Sequence, residues 1–133
     1  MSRFDEIADT LKQRDFIVSG QARDLKGSGN RTVIAGRLNL VVRVTEERGN
    51  TFLDLMPLHR FKTPSAESDW FSWDVVARTL GIATDAKVSP VRSFLEHFYK
   101  VDQAFAHESW ANTAALLSVF TEEKPGSPVK KQH

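Results

Sequence analysis

The four histidines are the side chains whose type first suggests chemistry, because an imidazole can bind a metal ion or transfer a proton near neutral pH. They are His59, His97, His107 and His133, and no two of them form an HxH, HxxxH or HExxH pattern. His97 lies one position off an apolar helical face, which is typical of a histidine on a helix surface. We therefore predict no metal site and no cofactor.

The carboxylates and possible nucleophiles give no stronger indication of catalysis than the histidines do. Adjacent acids occur at Glu46 and Glu47 and again at Glu122 and Glu123, but neighbouring side chains of a strand or a helix point in different directions and form no catalytic pair. No serine stands in a GxSxG context. The chain has no cysteine and so neither a thiol nucleophile nor a disulfide. These patterns predict a protein that is not an enzyme.

A cluster of aromatic residues offers a binding signal instead. Trp70, Phe71 and Trp73 fall within four residues and are flanked by Asp69 and Asp74. Helical spacing assigns Trp73 to a core-facing stripe, which leaves at least one other ring outside that stripe. Aromatic residues are enriched at binding hot spots, so this cluster is a candidate interface. The alternative is that both remaining rings cover the open edge of a sheet.

A β-hairpin over residues 39–57 is the element around which the chain is organised. Its two apolar runs flank the charged loop 46–50, and Leu40, Val42 and Val44 alternate with residues of the opposite face. Gly49 can adopt a positive φ, which suits a connection of three to five residues. The pattern predicts an antiparallel pair with one face against a core.

Apolar residues at helical spacing predict one helix before the sheet and about three after it. The predicted helices cover residues 3–14, 69–81, 90–105 and 110–123, with three or four antiparallel strands between residues 16 and 57 and a crossing loop over 58–68. The predicted fold class is therefore α+β: an N-terminal helix, an antiparallel sheet of three to four strands, and about three C-terminal helices packed on one sheet face. Residues 1–123 form a single domain in this interpretation, and residues 124–133 form a disordered tail.

Size and charge restrict the class of protein further. A length of 133 residues suits one domain, and the 41% hydrophobic and 26% charged contents are those of a globular chain rather than a disordered one. No apolar run is long enough for a bilayer, and the N-terminal residues lack the apolar core of a signal peptide, so we expect a cytoplasmic protein. Residues 63–123 hold 4 basic and 9 acidic residues, which predicts an acidic face on the helical half.

Four segments resemble small bacterial immunity-type proteins that are encoded beside polymorphic toxins. They are residues 42–49 (VRVTEERG), 52–55 (FLDL), 70–76 (WFSWDVV), which lead to Leu80 and Gly81, and 94–98 (FLEHF). The resemblance implies a cytoplasmic, non-catalytic protein that neutralises a toxin by covering its active site or an adjacent surface. Many nuclease inhibitors of this kind are strongly acidic, whereas this chain has a net charge of +1, so the resemblance does not extend to DNA mimicry.

The leading hypothesis is a protein-binding domain with a toxin domain as its partner. The predicted partner-binding residues are Asp69, Trp70, Phe71, Asp74, Glu46 and Glu47. A second hypothesis is a secretion-chaperone-like or adaptor domain that forms a homodimer through an exposed strand edge and binds an extended segment. A third is nucleic-acid binding through a basic sheet face, against which the low net charge argues. The residues of that face would be Arg23, Lys26, Arg31, Arg37 and Arg43.

Overall fold

The computed structural model describes residues 3–23, 31–61 and 70–122. Asp69, Lys26 and the predicted tail over 124–133 lie outside these ranges. The helices are α1 Arg3–Gln13, α2 Trp73–Leu80, α3 Pro90–Glu96, α4 Phe98–Ala104 and α5 Trp110–Glu122, and the strands are β1 Ile17–Arg23, β2 Arg31–Arg37, β3 Leu40–Glu47, β4 Asn50–Pro57 and β5 Phe71–Ser72. A short 3₁₀ helix, Leu58–Arg60, follows β4. The predicted α+β class is confirmed.

The sheet contains five strands in the order β1-β2-β3-β4-β5, and every neighbouring pair is antiparallel. Four of them lie between residues 16 and 57, but the prediction of three to four strands in all was too low. The fifth strand is only two residues long and pairs with Asp54 and Leu55 of β4. A pair of residues this short has no detectable period, so residues 71–72 were assigned to the helix that follows them.

The predicted hairpin is confirmed as β3 and β4, but its connection is shorter than expected. Glu47 pairs with Asn50, which leaves a two-residue loop of Arg48 and Gly49 with φ values of 52° and 82°. Two positive φ values match the I′ turn, whose twist follows that of the flanking strands. The hairpin therefore closes with the tightest connection available to it.

The core lies between one face of the sheet and the helices. The strands contribute the alternating residues predicted to face inward, including Leu40, Val42 and Val44, which are fully buried. They form one cluster with residues from all five helices, such as Leu11, Val76, Phe94, Val101 and Leu117. We call this the inner face of the sheet and the opposite one the outer face. No helix within the described ranges combines the length and apolar character needed to cross a membrane.

Helix α2 begins later than predicted, because Ser72 rather than residue 68 or 69 caps it. The Ser72 hydroxyl accepts a hydrogen bond from the Val75 N–H at 3.4 Å, and the helix starts at Trp73. At the other end Gly81 has a φ of 72° and terminates the helix, as predicted.

The predicted helix over 90–105 is two helices, which makes four helices after the sheet rather than about three. The break is at His97, whose backbone leaves the helical region at φ −120° and ψ 21°. The ring Nδ1 of His97 lies 3.0 Å from the Ser93 carbonyl, the group that a continuing helix would pair with the His97 N–H. A side chain that competes for a backbone acceptor in this way interrupts a helix, and α4 starts afresh at Phe98.

Candidate functional site

The turn between β2 and β3 holds Leu38 in an unusual conformation. Arg37 pairs with Leu40, so Leu38 and Asn39 form the connection, and Leu38 has a φ of 53°. The left-handed region costs a non-glycine residue roughly 1–2 kcal/mol because its Cβ approaches backbone atoms. Leu38 is nevertheless 58% exposed. The chain therefore maintains a strained backbone at a residue whose large apolar side chain extends into solvent.

Helix α4 fixes this turn through Asp102. Its carboxylate accepts the Asn39 backbone N–H at 2.8 Å on one oxygen and the Asn39 side-chain amide at 3.0 Å on the other. The Asn39 carbonyl in turn accepts the Leu58 N–H at 2.8 Å. Asp102 is only 7% exposed, and a buried carboxylate needs such donors to offset the loss of water. The turn is thus bound to a helix on one side and to the end of β4 on the other.

Arg37 provides a second connection between the turn and α4. Its guanidinium carbon lies 4.4 Å from the centre of the buried Phe98 ring and 5.5 Å from that of Tyr99. One guanidinium nitrogen donates to the Tyr99 hydroxyl at 3.1 Å. Cation–π contact and a hydrogen bond together hold the guanidinium in place beside Leu38.

An apolar groove of about 290 Å³ opens beside the turn. Its rim carries four exposed apolar side chains, Ile17, Leu38, Leu58 and Phe61, and Val41 lies among its lining residues. Ile17 is 76% exposed. Clustered apolar exposure of this kind marks interaction sites more often than scattered single residues do. We refer to Ile17, Arg37, Leu38, Leu58, Phe61 and Tyr99 as the turn surface.

The structure distributes the predicted aromatic cluster over both faces of the sheet. Trp70 lies on the outer face, where its ring packs against the Arg43 guanidinium at 4.4 Å. Phe71, one residue later, packs against the core, with its ring centre 6.0 Å from that of Trp110. The consecutive side chains of an extended segment point to opposite faces, which the helical assignment of 69–81 had not allowed for. Trp70 and Phe71 therefore lie on opposite faces of the sheet.

Of the predicted acidic residues, Glu46, Glu47 and Asp74 lie at the opposite end of the sheet from the turn surface. Asp74 is exposed in the first turn of α2 and lines a cavity of about 350 Å³ with Thr51 and Asp85. Glu46 is the cross-strand partner of Thr51, and Glu47 follows it at the β3–β4 turn. Trp73, which lines the same cavity, is buried as predicted. This end therefore brings Glu46 and Asp74 to one side of the molecule, away from Trp70.

Arg37 and Arg43, two of the basic residues proposed for nucleic-acid binding, lie on opposite faces of the sheet. Arg37 contacts α4 on the helix side, whereas Arg43 lies on the outer face and pairs with Asp54 at 3.1 Å. Arg31 is the cross-strand neighbour of Glu46. These positions break the continuous basic surface that the third hypothesis requires.

Two of the histidines come together although they are distant in the sequence. The rings of His59 and His107 are 5.0 Å apart between centres, and Trp110 lies 6.2 Å from His59. Residues 3–23, 31–61 and 70–122 contain no group of three or more His, Cys, Asp or Glu side chains placed to hold a metal ion. Asp102 and His97 are engaged by Asn39 and Ser93 respectively, rather than by each other.

The sequence patterns did not predict the turn surface. Two signals were present. Asn39 is a turn-forming residue between two β-type runs, and Asp102 is the one acid in the apolar stripe of residues 91–105. A buried acid on one element and a turn amide on another are natural partners, but their contact depends on tertiary structure.

Comparison of the chain with protein-family models, with curated proteins and with solved structures gave no match. The function is therefore inferred from the residues of this chain and their geometry.

Proposed function

We propose that this chain is a non-catalytic protein-binding domain that docks on its partner through the turn surface, and that the partner is a toxin domain which it neutralises by direct binding. The observation that carries the binding role is Leu38, which is exposed and strained in a turn held by α4 on one side and by the end of β4 on the other. The toxin as partner comes from the resemblance of segments 42–49, 52–55, 70–76 and 94–98 to immunity-type proteins.

The composition of the turn surface supports this role. Aromatic residues and arginine are enriched at the few positions that dominate binding energy, and the surface contains Tyr99, Phe61 and Arg37. Its centre is apolar, as the desolvated centre of an interface is. Leu38 projects from this surface where a partner could bury it.

The rigidity of the turn supports the same role on energetic grounds. Association costs free energy for every side chain and loop that becomes ordered, and a surface that is already ordered avoids that cost. Asp102 holds Asn39 through both carboxylate oxygens, and Phe98 supports Arg37. The backbone of the turn that carries Leu38 is therefore held in place before any partner arrives.

Protection of cells is the direct test of the toxin-neutralising role. The chain would be co-expressed with the protein encoded beside it in its genome, and survival would be measured with Leu38→Ser and Leu116→Ser variants. Leu116 is the matched control, because this α5 residue has a similar exposure of 51% and lies outside the turn surface. We expect the unaltered chain and Leu116→Ser to protect, and Leu38→Ser to lose protection.

Two results would count against the proposal at different points. Equal protection by Leu38→Ser and the unaltered chain would remove the turn surface from the interface. If the neighbouring protein is toxic and the unaltered chain neither protects nor binds it, the toxin-neutralising role would be wrong.

The adaptor hypothesis retains one supporting observation. Strand β1 is seven residues long, lies at the edge of the sheet and pairs only with β2 within the described ranges. An edge strand of this length can pair with a second chain. The irregular register between Val18 and Gly20 acts against such pairing, since bulges protect edges. A monomeric mass by light scattering at all concentrations would contradict a homodimer.

A further inference from the structure

Two arginines of the sheet are held over aromatic rings in the same way, but only one has a carboxylate. Arg43 lies 4.4 Å from the Trp70 ring, and two of its nitrogens donate to one Asp54 oxygen at 3.1 and 3.3 Å. Arg37 lies 4.4 Å from the Phe98 ring. Within the described ranges, the Tyr99 hydroxyl is its hydrogen-bond partner and no carboxylate pairs with it. Among the described residues, only the Arg43 arrangement therefore includes a carboxylate.

The chemistry of the guanidinium determines which ligand could pair with Arg37. The group carries five N–H donors in a planar fork, and Arg37 uses one nitrogen on Tyr99. Stacking on Phe98 fixes the plane of the fork, so little additional order is lost when the remaining donors bind. A carboxylate matches this fork with two parallel hydrogen bonds, as neither an amide nor a hydroxyl can.

The charges around Arg37 favour an acidic ligand as well. Lys100 follows Tyr99 on α4 and is exposed. The acid of α4, Asp102, is buried and bound to Asn39. Arg37 and Lys100 therefore place positive charge beside the apolar groove.

We propose that Arg37 binds an Asp or Glu carboxylate of the protein partner, in a segment whose neighbouring apolar side chain enters the groove beside Leu38. This inference rests on the proposed function, because it assigns the chemistry of the partner at the turn surface. The occupant is a peptide segment that combines one carboxylate with an adjacent aliphatic or aromatic residue.

The test uses two capped peptides that differ in one charge. Acetyl-Gly-Leu-Glu-Phe-Gly-amide and acetyl-Gly-Leu-Gln-Phe-Gly-amide would be titrated into the full ¹⁵N-labelled chain, and dissociation constants would be taken from amide chemical shifts. We expect both to shift the amides of Leu38 and its neighbours, with the Glu peptide binding about fivefold more tightly, as a partly exposed ion pair allows.

Three variants decide whether Arg37 is responsible for that preference. Arg37→Gln is expected to make the two peptides bind equally. Arg37→Lys is expected to retain only part of the preference, because an ammonium lacks the planar fork. Arg78→Gln removes the same charge from the exposed surface of α2 and is expected to leave the fivefold difference unchanged. Unchanged amide spectra away from residue 37 would show that each variant is folded.

The outcomes separate this inference from the proposed function. Equal binding of the two peptides to the unaltered chain, or a preference that survives Arg37→Gln, would overturn the carboxylate assignment. Absence of binding by both peptides would overturn it too. In each case the protection experiment with Leu38→Ser would still decide independently whether the turn surface binds a toxin.

Discussion

Leu38 stands where glycine or asparagine would be accommodated more easily, and its side chain gains only partial burial in return. Its φ of 53° costs roughly 1–2 kcal/mol, a cost that Asn reduces because its short polar side chain tolerates this region. Asp15 and Arg48 also have positive φ at exposed positions, so what distinguishes Leu38 is that the strained residue also exposes a large apolar side chain. Substitution of Leu38 should therefore affect partner binding more than the free energy of unfolding, and both can be measured on the same variant.

We predict that Leu38→Asn changes the free energy of unfolding by less than about 1 kcal/mol, because relief of backbone strain offsets the lost partial burial of the side chain. Binding of the partner is expected to fall by more than about tenfold, as for a hot-spot residue. Urea unfolding and calorimetric titration of the partner measure the two effects. A loss of stability above about 2 kcal/mol would instead place Leu38 in the core.

Asp102 is the residue on which the geometry of the turn depends. In Asp102→Asn one carboxylate oxygen becomes an NH₂ group, which would face a donor of Asn39 and leave it unsatisfied. We expect a loss of about 1–3 kcal/mol in the free energy of unfolding, together with weaker partner binding. Urea unfolding is the measurement, and Asp9→Asn on the exposed side of α1 is the control. Equal stability of the Asp102→Asn and Asp9→Asn variants would contradict this role.

At the scale of elements, the turn between β3 and β4 holds a residue that is not the most stable choice for its position. Arg48 adopts a φ of 52° at the first position of its two-residue turn, where asparagine before glycine is preferred. We predict that Arg48→Asn raises the free energy of unfolding by about 0.5–1 kcal/mol. Arg48→Ala removes the same side chain without that preference and should be less stable than Arg48→Asn. Thermal unfolding of both variants is the measurement, and the reverse order would exclude the I′ assignment.

Elements with a clear period or a local cap could be predicted from the sequence. The alternation through Leu40, Val42 and Val44 identified the hairpin, and Gly81 marked the end of α2. Elements whose boundaries depend on a single competing contact could not be predicted in this way. The His97 ring interrupts what would otherwise read as one helix, and the pairing of Phe71 with Leu55 turns the start of an apparent helix into a strand. Both contacts override a local pattern that is otherwise correct.

The turn surface was harder to predict than the fold, because its residues come from four regions of the chain. Ile17 begins β1, Arg37 ends β2 and is followed by Leu38, Leu58 and Phe61 follow β4, and Tyr99 lies on α4. None of these residues belongs to a functional sequence motif, and their local sequence is that of ordinary strands and helices. The predicted cluster at Trp70 and Phe71 did have a local signal, but a strand rather than a helix holds it, and the strand directs the two rings apart.

At the scale of the whole molecule, the net charge of +1 does not describe the charge beside the turn surface. The β3–β4 end of the sheet carries charges of both signs, Glu46 and Asp74 together with Arg31 and Arg48, whereas Arg37 and Lys100 lie at the β2–β3 end with the turn surface. Positive charge beside a surface attracts and orients an acidic partner before contact. Such a partner should approach the β2–β3 end first, where it meets Leu38 and the groove.

This orientation predicts a salt-dependent association rate. We expect the rate constant with the partner to fall severalfold between about 0.05 and 0.5 M NaCl, because the Debye length shortens from about 14 to about 4 Å. Arg37→Gln should lower the rate at low salt and flatten its dependence on salt, whereas Arg78→Gln should have a smaller effect because that residue lies on α2, outside the turn surface. Stopped-flow fluorescence would measure both. A rate that does not respond to salt would mean that the apolar groove alone directs docking, and that the positive charge of Arg37 and Lys100 beside the turn surface has no part in recognition.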